Sequence, residues 1–369
     1  YTASKYPRKI MVSVVELKDP HQVTLQVDTP MASRTAHQLT AMPNAETFLG
    51  YAQMSKEEQR VIKTFLAGLT EEEESDFTWS SRARGVPGPA NYGEHELILL
   101  DKEGKKSGLL LNPASRSSVV TPRDVVKRGK QAETDGLIKI MTKNNITQII
   151  QDYVQKRYDA LPDEKQVEFI ERLKQGSFPI LLQTLVNDYS PDKSLLDYKE
   201  EIMDFYKNQG ISIHLRNSGV DEQYRIPTKA IFSTNHPFTN FFRWTNPTRE
   251  KGAHGQEGLR LVAYAKGFAQ QLEDSSPAQK PIHEVADKLK ALIEKSPATA
   301  HLLNQGGREL FIASYEQLLV QMMGGLAAGS CVSGKDRKAI ELLHTDAMKI
   351  YYQQNGEFPD FEDSKKDNI

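Results

Sequence analysis

The chain has 369 residues, a formal net charge of −2 at pH 7, 38% hydrophobic and 26% charged residues. That composition fits a soluble globular protein with room for two or three domains and a core of its own. The balanced charge argues against general nucleic-acid binding, which needs a basic domain. No apolar run reaches the roughly 18–20 residues of a membrane-spanning helix. The one cysteine excludes an internal disulfide framework and a multi-thiolate zinc site. The chain opens on Tyr1 with no visible signal peptide, so it reads as a piece cut from a longer protein.

In chain order, Ile10–Val15 and Val23–Val27 alternate in the manner of strands. Ser55–Leu69 reads as a helix, opened by the capping pair Ser55 and Glu58. His95–Leu100 and Gly108–Leu111 flank a Gly-containing turn and predict a hairpin. From about 121 to 209 the apolar spacing predicts helices, with stripes at Ile149, Ile150, Tyr153 and Val154, at Val167, Ile170 and Leu173, and at Ile180, Leu181, Leu185 and Val186. Ile211–Leu215 and Lys229–Ser233 return to strand character, and Gly258–Leu272, His283–Glu294 and Arg308–Met323 to helix. Gly324–Ser330 reads as a short buried strand and Lys338–Gln353 as an amphipathic helix. These elements divide the chain into a mixed α/β core, residues 1–120 and 210–369, and a helical lobe or insertion, residues 121–209.

Between that last strand and helix lies Cys331-Val332-Ser333-Gly334-Lys335-Asp336-Arg337, a Cys-x5-Arg loop. Its backbone N–H groups can curl round a tetrahedral phosphate, and the N-terminus of the following helix adds a positive dipole end. Arg337 offers a planar fork to phosphate oxygens, while Ser333 and Gly334 let the backbone approach closely. A thiol at a helix N-terminus beside an arginine is driven toward thiolate. Such a thiolate can attack phosphorus and form a phosphocysteine without a metal or other cofactor. Two other readings compete: a buried structural cysteine, and a nucleotide P-loop, since residues 329–336 nearly match Gly-x4-Gly-Lys-[Ser/Thr]. The P-loop reading fails at Asp336, where a hydroxyl is needed for Mg²⁺.

The loop resembles the Cys-Lys-Ser-Gly-Lys-Asp-Arg loop of the phosphoinositide phosphatases, with six of seven positions in agreement. That family includes the inositol polyphosphate 4-phosphatases and bacterial secreted effectors of the SidP/SidF and SopB/IpgD kinds. The resemblance covers this loop and the helix after it. It implies a cysteine-phosphatase-like α/β core with a strand–phosphate loop–helix unit and a largely helical lobe beside it. It also implies a phosphoric monoester hydrolase acting on an inositol lipid head group, secreted into a host cell and working at its membranes. Cys331 would be the nucleophile, Arg337 the phosphate binder, Lys335 the contact to ring phosphates, and Asp336 the general acid or an orienter of the loop. Val332, Ser333, Gly334, Lys335 and Lys338 would contact substrate. Val332 replaces the family's first lysine, which favours a singly phosphorylated lipid or a 3-phosphate. Lys338 stands where a Thr or Ser usually follows the arginine, so either phosphoenzyme breakdown is slow or Lys338 restores the lost charge. The same loop also serves a protein or soluble inositol-phosphate phosphatase, or a binding module without turnover.

Other candidates are weaker. His344 and Asp346 lie about two turns along the helix and read as structural or surface residues. His236, Arg243 and Trp244 occupy a polar-aromatic loop that can line a pocket, though a packed Trp is the commoner outcome. Lys105 and Lys106, and Lys127, Arg128 and Lys130, form small basic runs read as solvated edges.

Overall fold

The structure is a computed structural model. It describes residues 12–16, 22–28, 93–100, 114–118, 149–186, 193–217, 220–236, 253–294, 305–331 and 337–361, together with Lys56, Arg60, Lys143, Ile146 and Thr147. The strands are β1 (Val12–Glu16), β2 (Gln22–Asp28), β3 (Gly93–Leu100), β4 (Ala114–Ser118), β5 (Ile180–Thr184), β6 (Ile211–Asn217), β7 (Val220–Ile226), β8 (Ile231–Asn235) and β9 (Leu326–Cys331). The helices are α1 (149–159 among the described residues), α2 (Asp163–Gln175), α3 (Lys193–Gln209), α4 (Ala253–Gln270), α5 (Gln279–Glu294), α6 (Gln305–Met322) and α7 (Arg337–Asn355).

A seven-stranded sheet runs in the order β1-β2-β3-β4-β9-β5-β8. The β1-β2-β3-β4 pairings are antiparallel. β4, β9, β5 and β8 are parallel neighbours, so their carboxyl ends, Ser118, Cys331, Thr184 and Asn235, lie along one edge. β6 and β7 form a separate antiparallel hairpin.

Alternation along the parallel strands divides the core in two. Leu181, Phe232 and Ala327 point to a cluster with α4, α5, α6 and α7. Ile180, Leu182, Ile231 and Leu326 point to the other face, with α1, α2, α3 and the β6–β7 hairpin. Ile180, Leu181, Ile231, Phe232 and Leu326 have no exposed surface, and each such side chain contributes about 1.5–3 kcal/mol. Register beside β5 is set where Leu326 N–H donates to the Pro179 carbonyl at 2.9 Å. Gly325 permits that approach, since a Cβ there would lie 2.1 Å from the Pro179 oxygen.

The sequence reading locates most elements within a few residues, but Ile180–Thr184 corrects it. This stretch, read as a helical stripe, is the strand between β9 and β8. A parallel strand covered on both faces is a continuous apolar run, and periodicity cannot separate it from a buried helix. The span 121–209 therefore supplies a strand to the main sheet as well as helices. β7 was also missed, and Gln22–Asp28 pairs with Gly93–Leu100 across a long separation. Most of Ser55–Leu69 and all of Gly108–Leu111 lie outside the described residues; Lys56 and Arg60 are helical.

Candidate active site

β9 delivers Cys331 to the carboxyl edge of the parallel strands, opposite Ser118 of β4. One strand over, Leu185 continues β5, and its N–H donates to the Ser330 carbonyl at 2.8 Å. Cys331 packs against Leu185 and against Ala313 of α6, and is 1% exposed. Six residues later α7 begins at Arg337, whose Nη1 donates to the Leu185 carbonyl at 3.0 Å. Both ends of the Cys-x5-Arg loop thus meet at one residue at the tip of β5. Residues 332–336, which include Val332, Ser333, Gly334, Lys335 and Asp336, lie outside the described residues, as do Arg243 and Trp244.

Lys338 was expected to touch substrate, and its place in the structure is different. It is 1% exposed and turns inward beneath β9. Its Nζ donates to Gln317 Oε1 at 2.7 Å, to Gln183 Oε1 at 3.3 Å and to Glu341 Oε2. An ammonium this deep must be paired and hydrogen-bonded, and these partners satisfy it. Gly329 makes room: a Cβ there would lie 1.9 Å from Lys338 Cε. Thr345 Oγ1 donates to the other carboxylate oxygen of Glu341 at 2.8 Å.

The polar cluster continues along the strand ends. Gln183 Nε2 donates to Glu316 Oε2 and to the Ala313 carbonyl, each at 3.0 Å. Glu316 Oε2 also accepts from Thr234 Oγ1 at 2.6 Å and faces His236 Nε2 at 2.9 Å. The opposite ring nitrogen, Nδ1, lies 3.1 Å from Glu309 Oε2. Arg308 Nη1 reaches the second oxygen of Glu309 at 3.3 Å. His236 is held to the sheet by its own N–H, which donates to the Thr184 carbonyl at 2.8 Å. Burial pulls the His236 pKa down, but the charge of Glu316 and the bonds to Glu309 and Glu316 outweigh it and lift the pKa to about 9.

His344 and Asp346 have structural surroundings. His344 hydrogen-bonds with Ser314 Oγ at 2.9 Å and meets the Phe311 ring edge-to-face. Burial lowers its pKa to about 4, so it is neutral at pH 7. Asp346 is buried and pairs with Lys349 at 3.0 Å. Among the described residues, no group of His, Cys, Asp or Glu is arranged to hold a metal ion, and no helix is long and apolar enough to cross a membrane.

Gln183, Glu309, Glu316, Gln317 and Glu341 were not singled out from the sequence. A signal was there: Glu309, Glu316 and Gln317 recur at helical spacing, but a polar stripe on a helix normally marks its solvated face. Here it faces the carboxyl edge of the sheet and is buried.

No protein-family model matches the chain, and no curated protein matches it. Solved structures do. A Legionella phosphoinositide phosphatase, described for its bearing on lipid metabolism in pathogen–host interaction, aligns at 25% identity and a TM-score of 0.51, over 84% of this chain and 33% of its own. The Legionella phosphoinositide phosphatase SidF aligns at 13% identity and a TM-score of 0.40, over 93% of this chain and 47% of its own. A further Legionella phosphoinositide phosphatase, studied for substrate recognition, aligns at 14% identity and a TM-score of 0.40, over 91% of this chain and 47% of its own. The chain therefore spans a third to a half of the structures it is similar to.

Proposed function

We propose that this chain carries the catalytic site of a cysteine-based phosphoinositide phosphatase, which removes a phosphate monoester, preferably the 3-phosphate, from an inositol lipid head group. The observation that carries this reading is the convergence of Cys331 and Arg337 on Leu185 at the carboxyl edge of parallel strands, where open α/β sheets bind their ligands. The likeness to a Legionella phosphoinositide phosphatase over 84% of this chain supports the substrate class. A secreted effector acting at host membranes fits the same likeness.

In this reading the Cys331 thiolate attacks phosphorus in line with the inositol oxygen. The phosphorus–oxygen bond breaks and Asp336 protonates the leaving oxygen. Arg337 leaves the Leu185 carbonyl for the equatorial oxygens, while the loop N–H groups and the α7 dipole hold the rest of the charge. Water then attacks phosphorus and gives a proton to the Asp336 carboxylate; the phosphorus–sulfur bond breaks, releasing orthophosphate and regenerating the thiolate. Val332, Ser333, Gly334 and Lys335 contact the bound phosphate and the ring. Lys338 acts from below, as a buried anchor of the first turn of α7.

The test is phosphate release from vesicles bearing mono-, bis- and tris-phosphorylated inositol lipids, with phosphopeptides and soluble inositol phosphates alongside. Release from the lipids, fastest with a 3-phosphate and lost in Cys331→Ser, is expected. Release from phosphopeptides alone would contradict the substrate class. The 1% exposure of Cys331 favours one second reading, a phosphate-binding module without turnover. Binding of the lipid vesicles with no release by the wild-type chain is the result that selects it.

A further inference from the structure

The ring of His236 is placed so that each nitrogen faces a carboxylate oxygen, Glu309 Oε2 at 3.1 Å and Glu316 Oε2 at 2.9 Å. Ionised carboxylates only accept hydrogen bonds, so making both bonds requires both ring nitrogens to carry protons. Charge counting points the same way. Among the described residues, Glu309, Glu316 and Glu341 face Arg308, His236 and Lys338 in this buried chain, and the count balances when His236 is protonated. The chain is continuous from His236 through Glu316 and Gln183 to Lys338, the residue after Arg337.

We propose that His236 is a positioning residue for Arg337, acting through Glu316, Gln183 and Lys338 on the first turn of α7. The inference rests on the phosphatase reading for its kinetic form. Physically, loss of the imidazolium charge leaves Glu309 and Glu316 buried with less compensation. Glu316 then draws on its remaining donors, Thr234 and Gln183. The Gln183 amide that donates to Glu316 also accepts from Lys338, so strain on one bond reaches the other. Arg337 is one residue away, and small misplacements of an oriented group cost catalysis steeply.

The groups that meet His236 are Glu309 and Glu316 from α6 and the Thr184 carbonyl of β5; Arg308 is joined through Glu309, Gln183 through Glu316, and Lys338 and Glu341 of α7 through Gln183. From α4, Glu257 meets β8 at the Ser233 N–H, itself paired with Arg260 and Lys207. With a His236 pKa of about 9, the imidazolium persists through neutral pH and is lost on the alkaline side.

The test measures kcat and KM for phosphate release across pH 6.5–10, on wild type, His236→Gln and Glu309→Gln, with the melting shift induced by inorganic phosphate as a second readout. In wild type, kcat is expected to fall about ten-fold through pH 9, with KM changed less than two-fold. His236→Gln should be about ten-fold slower at neutral pH with that limb absent. Glu309→Gln keeps the ring but removes one interaction that raises its pKa, so the limb should move to lower pH. A variant that melts lower yet keeps the wild-type kcat and pH profile overturns the proposal while leaving the phosphatase reading intact. Should wild type release no phosphate but be stabilised by it, the phosphatase reading fails; weaker stabilisation of His236→Gln then upholds the positioning role, and equal stabilisation overturns it. Absence of both release and stabilisation overturns both.

Discussion

At the residue scale, the proposed site calls for side chains that cannot be exchanged for their nearest relatives. Arg337 offers a planar fork, which lysine cannot reproduce. Arg337→Lys is expected to lower kcat/KM on the order of 100-fold, as loss of a preorganised donor to a developing anion does. Steady-state phosphate release measures it, and a loss under three-fold would place Arg337 outside the reaction. Gly329 is constrained for a different reason, the space that Lys338 fills beneath β9. Gly329→Ala should destabilise by about 1–3 kcal/mol through overpacking, seen as a lower denaturation midpoint; an unchanged midpoint would mean that Lys338 moves aside freely.

At the element scale, β5, β8, α6 and α7 are joined by one buried polar chain rather than by apolar contact alone. Lys338→Met leaves the Glu341 carboxylate, which has no exposed surface, without its cation. Breaking such a pair from one side costs about 3–5 kcal/mol. Replacing both, Lys338→Met with Glu341→Leu, should recover much of that stability in urea unfolding. A single variant as stable as wild type would contradict the pairing. This chain also explains what the sequence hid. The strand before the loop and the helix after it were legible, because small residues and an amphipathic repeat mark them. β5 was not, since Ile180, Leu181 and Leu182 are buried on both faces and carry no period of two. Glu309 and Glu316 were not, since a helical polar stripe looks solvated until a sheet edge is placed over it. Lys338 was misjudged because its neighbour Arg337 begins the helix, and one residue of helical rotation turns a side chain from the loop toward the core.

At the scale of the whole molecule, buried His236 and half-buried His344 oppose each other in pH. His236, raised to about 9 from 6.5, adds stability that is complete below pH 6.5 and is lost as pH rises through 9. His344, lowered to about 4 from 6.5, adds stability that is complete above pH 6.5 and is lost as pH falls through 4. Their combined contribution is greatest near pH 6.5. His344→Gln should flatten the acid side of a thermal-midpoint profile and His236→Gln the alkaline side; parallel profiles for all three proteins would contradict these protonation states. The sheet edge, the loop and α7 together make the central claim chemical, that the sulfur of Cys331 takes the phosphoryl group. Acid quench during turnover of a phosphate-labelled inositol lipid, followed by peptide mapping, tests this most directly. The label is expected on the peptide containing Cys331, and absent from that of Cys331→Ser. Turnover with no label at Cys331, and retained by Cys331→Ser, would contradict it.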